Sequence, residues 1–357
     1  MKTEAAIETR IDMTGFSLES FAVAQRCAPW TVVAAIIAHL RPGLTGQPAL
    51  TGLLLVGLLS GTIPASAGGD YAPLDKLAPG VYVQRGADEA ASVVNRGAVA
   101  NLGVLVGSSG AIVVNTGSST EHGAAVLAAV ARLTDRPVVL AIDTQASPDQ
   151  VLGNLAFTGR GIAVLAHRDT DAFMHEHCDT CVADVRSTAG TDALAATQVA
   201  WPTRLIEGSQ TLSAGGRAIR ILYFGSTERP GSVAVFDVES GVLFTGNMAS
   251  FGVVPQTQLG QLSRWIDALR ELQALAPAAV VPGHGPPGPA TRLVQMRDYL
   301  QSLLDQTRAA YLRGDGLMET VDHLQLTPFR SWALYEANHR RNVHFTYLQI
   351  EEEDLNK

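Results

Sequence analysis

His175-Glu176-His177-Cys178-Asp179-Thr180-Cys181 is the densest group of ligating and nucleophilic side chains in the chain. A Cys-x2-Cys with two nearby histidines offers four zinc ligands, but a single cluster this compact is weak evidence for a metal. In an oxidising compartment the same two thiols form a local disulfide, or a redox pair that exchanges with other thiols. Structural disulfide, redox pair and metal site are the three readings of Cys178 and Cys181. Three other histidines suggest less chemistry. His122, beside a Thr-Gly loop, and His167, after a strand, suit packing or capping. His339 shares a helical stripe with Trp332, Tyr335, Val343, Tyr347 and Ile350, as a core histidine would.

The elements that must position these side chains are short apolar runs divided by Gly-rich turns. Gly80 to Val83, Val104 to Val106 and Ala111 to Val114 predict strands. A helix is predicted over Gly123 to Leu133, with Val126, Leu127, Val130 and Leu133 on one face. Val138 to Ile142 has the unbroken apolar character of a strand covered on both faces, and Gly161 to Ala166 is a further strand ending at His167. Residues 203 to 245 predict a β meander turning at Ala214-Gly215-Gly216 and Glu239-Ser240-Gly241. Ser263 is placed to cap a helix that turns Ile266, Leu269 and Leu272 inward. Ala279 to Val281 is the last strand, and the chain beyond Pro289 is helical.

Composition limits the function. With 46% hydrophobic and 17% charged residues over 357 positions, the chain can fill a sizeable core, which excludes wholesale disorder. Lys plus Arg is 26 against Asp plus Glu 34, a net charge of −8 without a dense basic block, which argues against nucleic-acid binding. Three cysteines are too few for a disulfide scaffold. Residues 49 to 63 are apolar, preceded by Arg41 and followed by Pro64 and Ala65-Ser66-Ala67, the parts of a secretory signal. That run is short of the ~20 apolar residues a bilayer span takes. The expectation is export with cleavage near Ala67 to the periplasm or exterior, or retention as a membrane anchor. Cys27 then leaves with residues 1–67, and only Cys178 and Cys181 remain.

The motifs Asn101-Leu-Gly-Val-Leu-Val-Gly, Val113-Val-Asn-Thr-Gly, Asp149-Gln-Val-Leu-Gly-Asn154 and Val280-Val-Pro-Gly-His-Gly285 occur in a recognisable order. From roughly residue 77 to 290 the chain resembles the metallo-β-lactamase superfamily. Thr134-Asp-Arg-Pro137 and the helical tail make it most similar to exported hydrolases associated with quinoprotein dehydrogenases and sulfur oxidation. The resemblance implies an α/β fold, an αββα four-layer sandwich over 68–290, with a helical extension over 291–357.

It also implies a dinuclear zinc edge, and most of the ligand positions are altered. Where the superfamily has His-x-His-x-Asp-His this chain has Gln145, Ser147, Asp149 and Gln150. The meander histidine falls at Glu228, the bridging aspartate at Asn247, and the aspartate before Thr-Gly at Asn115. Asp149 and His284 are retained. Amides and a hydroxyl are poor zinc donors, so the shared hydroxide that attacks substrate is lost. Asp149, Glu228 and His284 are the remnant set, two carboxylates and an imidazole able to hold zinc, iron or manganese at low occupancy; no cofactor is the principal expectation. Glu228 beside Arg229 also suits a surface ion pair of little consequence.

The expected function is therefore non-hydrolytic: an exported binding or accessory protein of a periplasmic, quinoprotein-type oxidation system, partnered by a periplasmic protein or small molecule. The alternatives are an ester, thioester or lactam hydrolase with a mononuclear metal at Asp149, Glu228 and His284, and a thiol–disulfide protein using Cys178 and Cys181.

Overall fold

The computed structural model describes residues 71–356, apart from Asp179 and Thr191. The leader expected over residues 1–67 lies outside the described residues. Among those described, no helix is long and apolar enough to cross a membrane.

Seven strands form the first sheet in sequence order: β1 (Leu74–Ala78), β2 (Val81–Gln84), β3 (Leu102–Val106), β4 (Ala111–Val114), β5 (Val138–Ile142), β6 (Ala163–His167) and β7 (Arg204–Ile206). The pairs from β1 to β4 are antiparallel and those from β4 to β7 parallel. Parallel neighbours need crossovers. They are supplied by α1 (Thr120–Leu133), then by α2 (Pro148–Val151) and α3 (Asn154–Thr158), then by α4 (Arg168–His177) and α5 (Cys181–Ala189). The second sheet runs β12 (Ala279–Val281), β11 (Val242–Phe244), β10 (Val233–Asp237), β9 (Arg217–Tyr223), β8 (Gln210–Ala214). Its one parallel pair, β11 with β12, is bridged by α6 (Leu262–Ala274).

Period-two alternation gives each sheet an inner and an outer apolar face. Val83, Leu105, Ile142 and Ile221 meet between the sheets. Val104, Val113 and Ala141 face outward from the first sheet to Val126 and Val130 of α1 and Phe157 of α3. Leu222, Ala234 and Leu243 of the second sheet pack under α6, α7 (Arg292–Arg313) and α9 (Tyr335–Leu355), while α8 (Leu317–His323) adds Val321. The four-layer αββα sandwich is thus present, and the C-terminal helices belong to its core. Arg217, 2% exposed, pins the sheets together: its guanidinium meets the buried Asp237 carboxylate at 3.0 Å and the Val106 carbonyl of the first sheet at 3.1 Å. A guanidinium buried this deeply is tolerable because it carries partners on both sides.

Several local expectations are corrected. The meander begins at Gln210, because the earlier segment Arg204–Ile206 pairs with β6 and completes the first sheet. Ser263 does not cap α6; the helix starts at Leu262 with Gln261 in the cap position and no side-chain bond. Val139 in β5 and Leu133 in α1 are exposed, so the face of each element is narrower than its apolar run. His339 is buried in α9, its Nδ1 3.3 Å from the Tyr299 hydroxyl, as the stripe predicts.

Candidate functional site

The loops that leave β4, β5, β11 and β12 converge at one edge of the two sheets. Asn101, at the start of β3, clamps the last of them: its Nδ2 donates to the Pro282 and Gly285 carbonyls, each at 2.8 Å, and its backbone N–H donates to Gly283. Asn115 adopts φ 65°, a left-handed conformation that asparagine tolerates better than most residues. Its Oδ1 accepts from the Thr144 N–H at 3.0 Å and hydroxyl at 2.9 Å, joining the β4 loop to the β5 loop. Gly283 is required where it stands, since a Cβ there would lie 2.8 Å from the backbone N of Asn247 and the backbone C of Gly246.

Asn247 engages both Gln145 and Gln150. Gln145 Oε1 accepts from the Asn247 N–H at 3.0 Å, Gln150 Nε2 donates to Asn247 Oδ1 at 2.8 Å, and Gln150 Oε1 lies 3.0 Å from the Thr144 hydroxyl, whose one proton it shares with Asn115 Oδ1. Gln145 Nε2 is buried without a hydrogen-bond partner. Ser147 donates to Asp149 Oδ1 at 2.5 Å, and Asp149 Oδ2 lies 3.4 Å from His284 Nε2. The other ring nitrogen of His284 faces the Val99 carbonyl at 3.0 Å. The edge therefore brings Asp149 and His284 together, with the amides as neighbours.

Glu228 takes a different course. It is 3% exposed and both its oxygens accept from Arg229, whose Nη1 also donates to the Ala146 carbonyl at 2.5 Å. The pair is buried, so the surface ion pair expected from sequence is corrected: desolvation makes each charge depend on the other. Burial opposes the charge on Arg229, but Glu228 and then Asp149 outweigh it and hold the guanidinium above its ordinary pKa.

A family-typical zinc pair does not fit these residues. The amide oxygens and the Ser147 hydroxyl are committed to hydrogen bonds within the protein, and Glu228 to Arg229. Asp149 Oδ2 and His284 Nε2 are the remaining adjacent donors, and zinc takes three or four. Among the described residues, no group of three or more His, Cys, Asp and Glu side chains is arranged to hold a metal.

Above this floor lies a cavity of about 500 Å³. Val99, Phe173, Val254 and Leu259 give it apolar walls, and Asp149, Arg229, Asn247 and His284 face it from the floor. Phe173 was not singled out by sequence reasoning, and Arg229 was read only as half of a surface pair with Glu228; its burial is what makes it part of the floor. Asp143, two residues before Gln145, is wholly buried, and burial pushes its carboxyl up to about 8 despite a hydrogen bond from Asn154 at 2.8 Å.

The His-Cys cluster forms part of the cavity wall and splits apart. Cys178 and Cys181 are joined as a disulfide. His175 stacks on Trp201 and His177 on Phe173, with centroids 3.9 and 4.1 Å apart, so each imidazole is committed to an aromatic partner. His167 caps α4 by accepting from the Asp169 N–H at 3.1 Å, and His122 is buried, stacked on Tyr71 and 2.7 Å from Gln84 Oε1. Both have the structural roles expected.

The model of the metallo-beta-lactamase superfamily matches residues 96–284, just over half of the chain. Among solved structures, a metallo-beta-lactamase from Pontibacter korlensis is similar at 20% identity and TM-score 0.53, with 64% of this chain and 98% of that one covered. A stereoselective inverting sec-alkylsulfatase, Pisa1 from a Pseudomonas species, aligns at 18% identity and TM-score 0.63 over 78% of this chain and 50% of its own. The metallo-beta-lactamase DIM-1 aligns at 17% identity and TM-score 0.52 over 65% of this chain and 99% of its own. At these identities the likeness is one of fold. No curated protein matches the chain in sequence.

Proposed function

Given that the chain belongs to the metallo-β-lactamase superfamily, we propose that it is a metal-independent binding protein that holds a small amphipathic organic ligand over the former zinc edge. The observation that carries this reading is that Asn247 bonds to both Gln145 and Gln150, so these amides engage each other where a hydrolase of this fold places ligands and hydroxide. A cavity with apolar walls and a few convergent polar groups is the usual form of a small-molecule site. The finer parts of the reading are an exported protein, acting as an accessory of a periplasmic oxidation system, and are supported by the resemblance and the leader alone. The hydrolase alternative rests on the Asp149–His284 contact, without Glu228.

The test is competition for zinc against a chromophoric chelator, run on protein purified without affinity-tag metal, beside titration with the environment-sensitive dye anilinonaphthalene sulfonate. Saturable dye binding at one site, weakened by Leu259→Trp at the cavity rim and unchanged by zinc, is expected. Stoichiometric zinc that is lost in His284→Ala would overturn the proposal and favour a hydrolase.

A further inference from the structure

The cavity wall holds one group that ligand binding leaves unused, the bond between Cys178 and Cys181. Its two sulfurs sit in unlike places. Cys178 is 2% exposed, packs with Ala146, Val151 and Met174, and caps the carbonyl end of α4. Cys181 is half-buried, lines the cavity beside His177 and Val185, and is the first residue of the nine-residue α5. Its Sγ lies 3.7 Å from the His177 carbonyl.

We propose that this disulfide is a thiol-exchange centre whose substrate is a small organic thiol entering the cavity, and that Cys181 is the sulfur attacked. Accessibility selects the sulfur, because an incoming thiolate reaches Cys181 from the cavity and Cys178 is covered. In the first step the thiolate sulfur bonds to Cys181 Sγ, the Cys178–Cys181 bond breaks, and its electron pair goes to Cys178, which takes a proton from solvent. The mixed disulfide on Cys181 faces the cavity, where a second small thiol can reach it, while Cys178 stays covered by Ala146, Val151 and Met174. In the second step another small thiolate attacks the substrate sulfur of that mixed disulfide. Cys181 leaves as a thiolate at the amide end of α5, where partial positive charge stabilises it. Two thiols have then been oxidised to one disulfide, and the protein disulfide has been reduced to two thiols. The exchange needs no metal at the edge and no other ligand.

The experiment uses the folded, oxidised full chain. Reduced glutathione is added, the reaction is quenched with acid and N-ethylmaleimide, and the adducts are located by peptide mass spectrometry. The expected adduct is on Cys181, with about ten-fold or greater preference over Cys178, and formed about ten-fold faster than with a thiol attached to a polymer too large for the cavity. With adducts located by peptide, Cys178→Ser should capture oxidised glutathione at Cys181, whereas Cys181→Ser should show none at Cys178; an adduct on Cys27 is common to both variants and does not count. If neither variant folds, the wild-type adduct map and the size comparison decide alone. A bond that glutathione opens only in denaturant, adducts shared equally, or equal rates for the small and the polymer-bound thiol would each overturn the proposal.

Discussion

Asp143→Asn should make the protein more resistant to unfolding as the pH rises, by an amount that can be worked out beforehand. Asp143 follows β5 and supports the loop that carries Gln145, Asp149 and Gln150. It has no exposed surface; Oδ2 accepts from Asn154, and Oδ1 has no partner. Burial raises its folded pKa to about 8, against an ordinary value of 3.8. Between those values the folded state holds a proton that the unfolded chain releases. Stability from this group is therefore complete below about 3.8 and falls as the pH rises through 8. The loss is about 1.4 kcal/mol for each pH step within the interval, on the order of 5 kcal/mol across all of it. The amide that replaces the carboxyl is neutral throughout, accepts from Asn154 in the same way, and adds only a pH-independent offset for its buried N–H2. Urea unfolding followed by tryptophan fluorescence at pH 5, 6, 7 and 8 gives the comparison. The stability difference between variant and wild type should grow by roughly 3 kcal/mol between pH 5 and pH 7. A difference that stays constant across the four pH values would refute the claim that Asp143 folds as the neutral acid.

Two further perturbations probe the same edge and its support. Arg229→Met leaves Glu228 as a buried charge without its partner, and urea unfolding should register a loss of about 3–5 kcal/mol, much of it restored by adding Glu228→Gln. A loss below about 1 kcal/mol would mean that the pair is solvated. Burial, and then Arg96, push His122 down to about 3, so this imidazole is neutral in the fold and its stabilisation, present above about 6.5, is lost as the pH falls toward 3. Urea midpoints should show wild type losing roughly 3 kcal/mol more than His122→Gln between pH 6.5 and pH 4; parallel losses would contradict that protonation state.

Much of the fold was legible because its strands carry their own boundaries. Ala111–Val114, Val138–Ile142 and Ala279–Val281 stand between turn residues, and the structure places each strand at those limits. Periodicity says which face is apolar, but not which sheet a strand joins. Arg204–Ile206 looks like the opening of a meander and instead pairs with β6, because the α4–α5 crossover returns the chain to the first sheet. The cap of α6 was misplaced for a related reason: Ser263 has the right chemistry, but the helix already begins one residue earlier, held by packing of Leu262 rather than by a side-chain bond.

The edge was legible as a set of positions and illegible as a set of partners. Motif order locates Gln145, Gln150, Asn247 and His284, since loops leaving adjacent strands must meet where those strands end. It does not say what a substituted side chain does with its hydrogen bonds. An amide in place of an imidazole still has to satisfy a buried donor and acceptor, and leaving either unmet costs about 1–3 kcal/mol. Asn247 donates its N–H to Gln145 and accepts from Gln150, Gln150 Oε1 faces the Thr144 hydroxyl, and Gln145 Nε2 is left without a partner. Glu228 could not be satisfied so, being charged, and it draws in Arg229, a residue that no ligand motif contains. Both arrangements follow from one constraint: buried polar groups must find partners within the protein, and the Asn247 bonds to Gln145 and Gln150 and the Glu228–Arg229 pair are the forms of pairing that neutral and charged side chains allow.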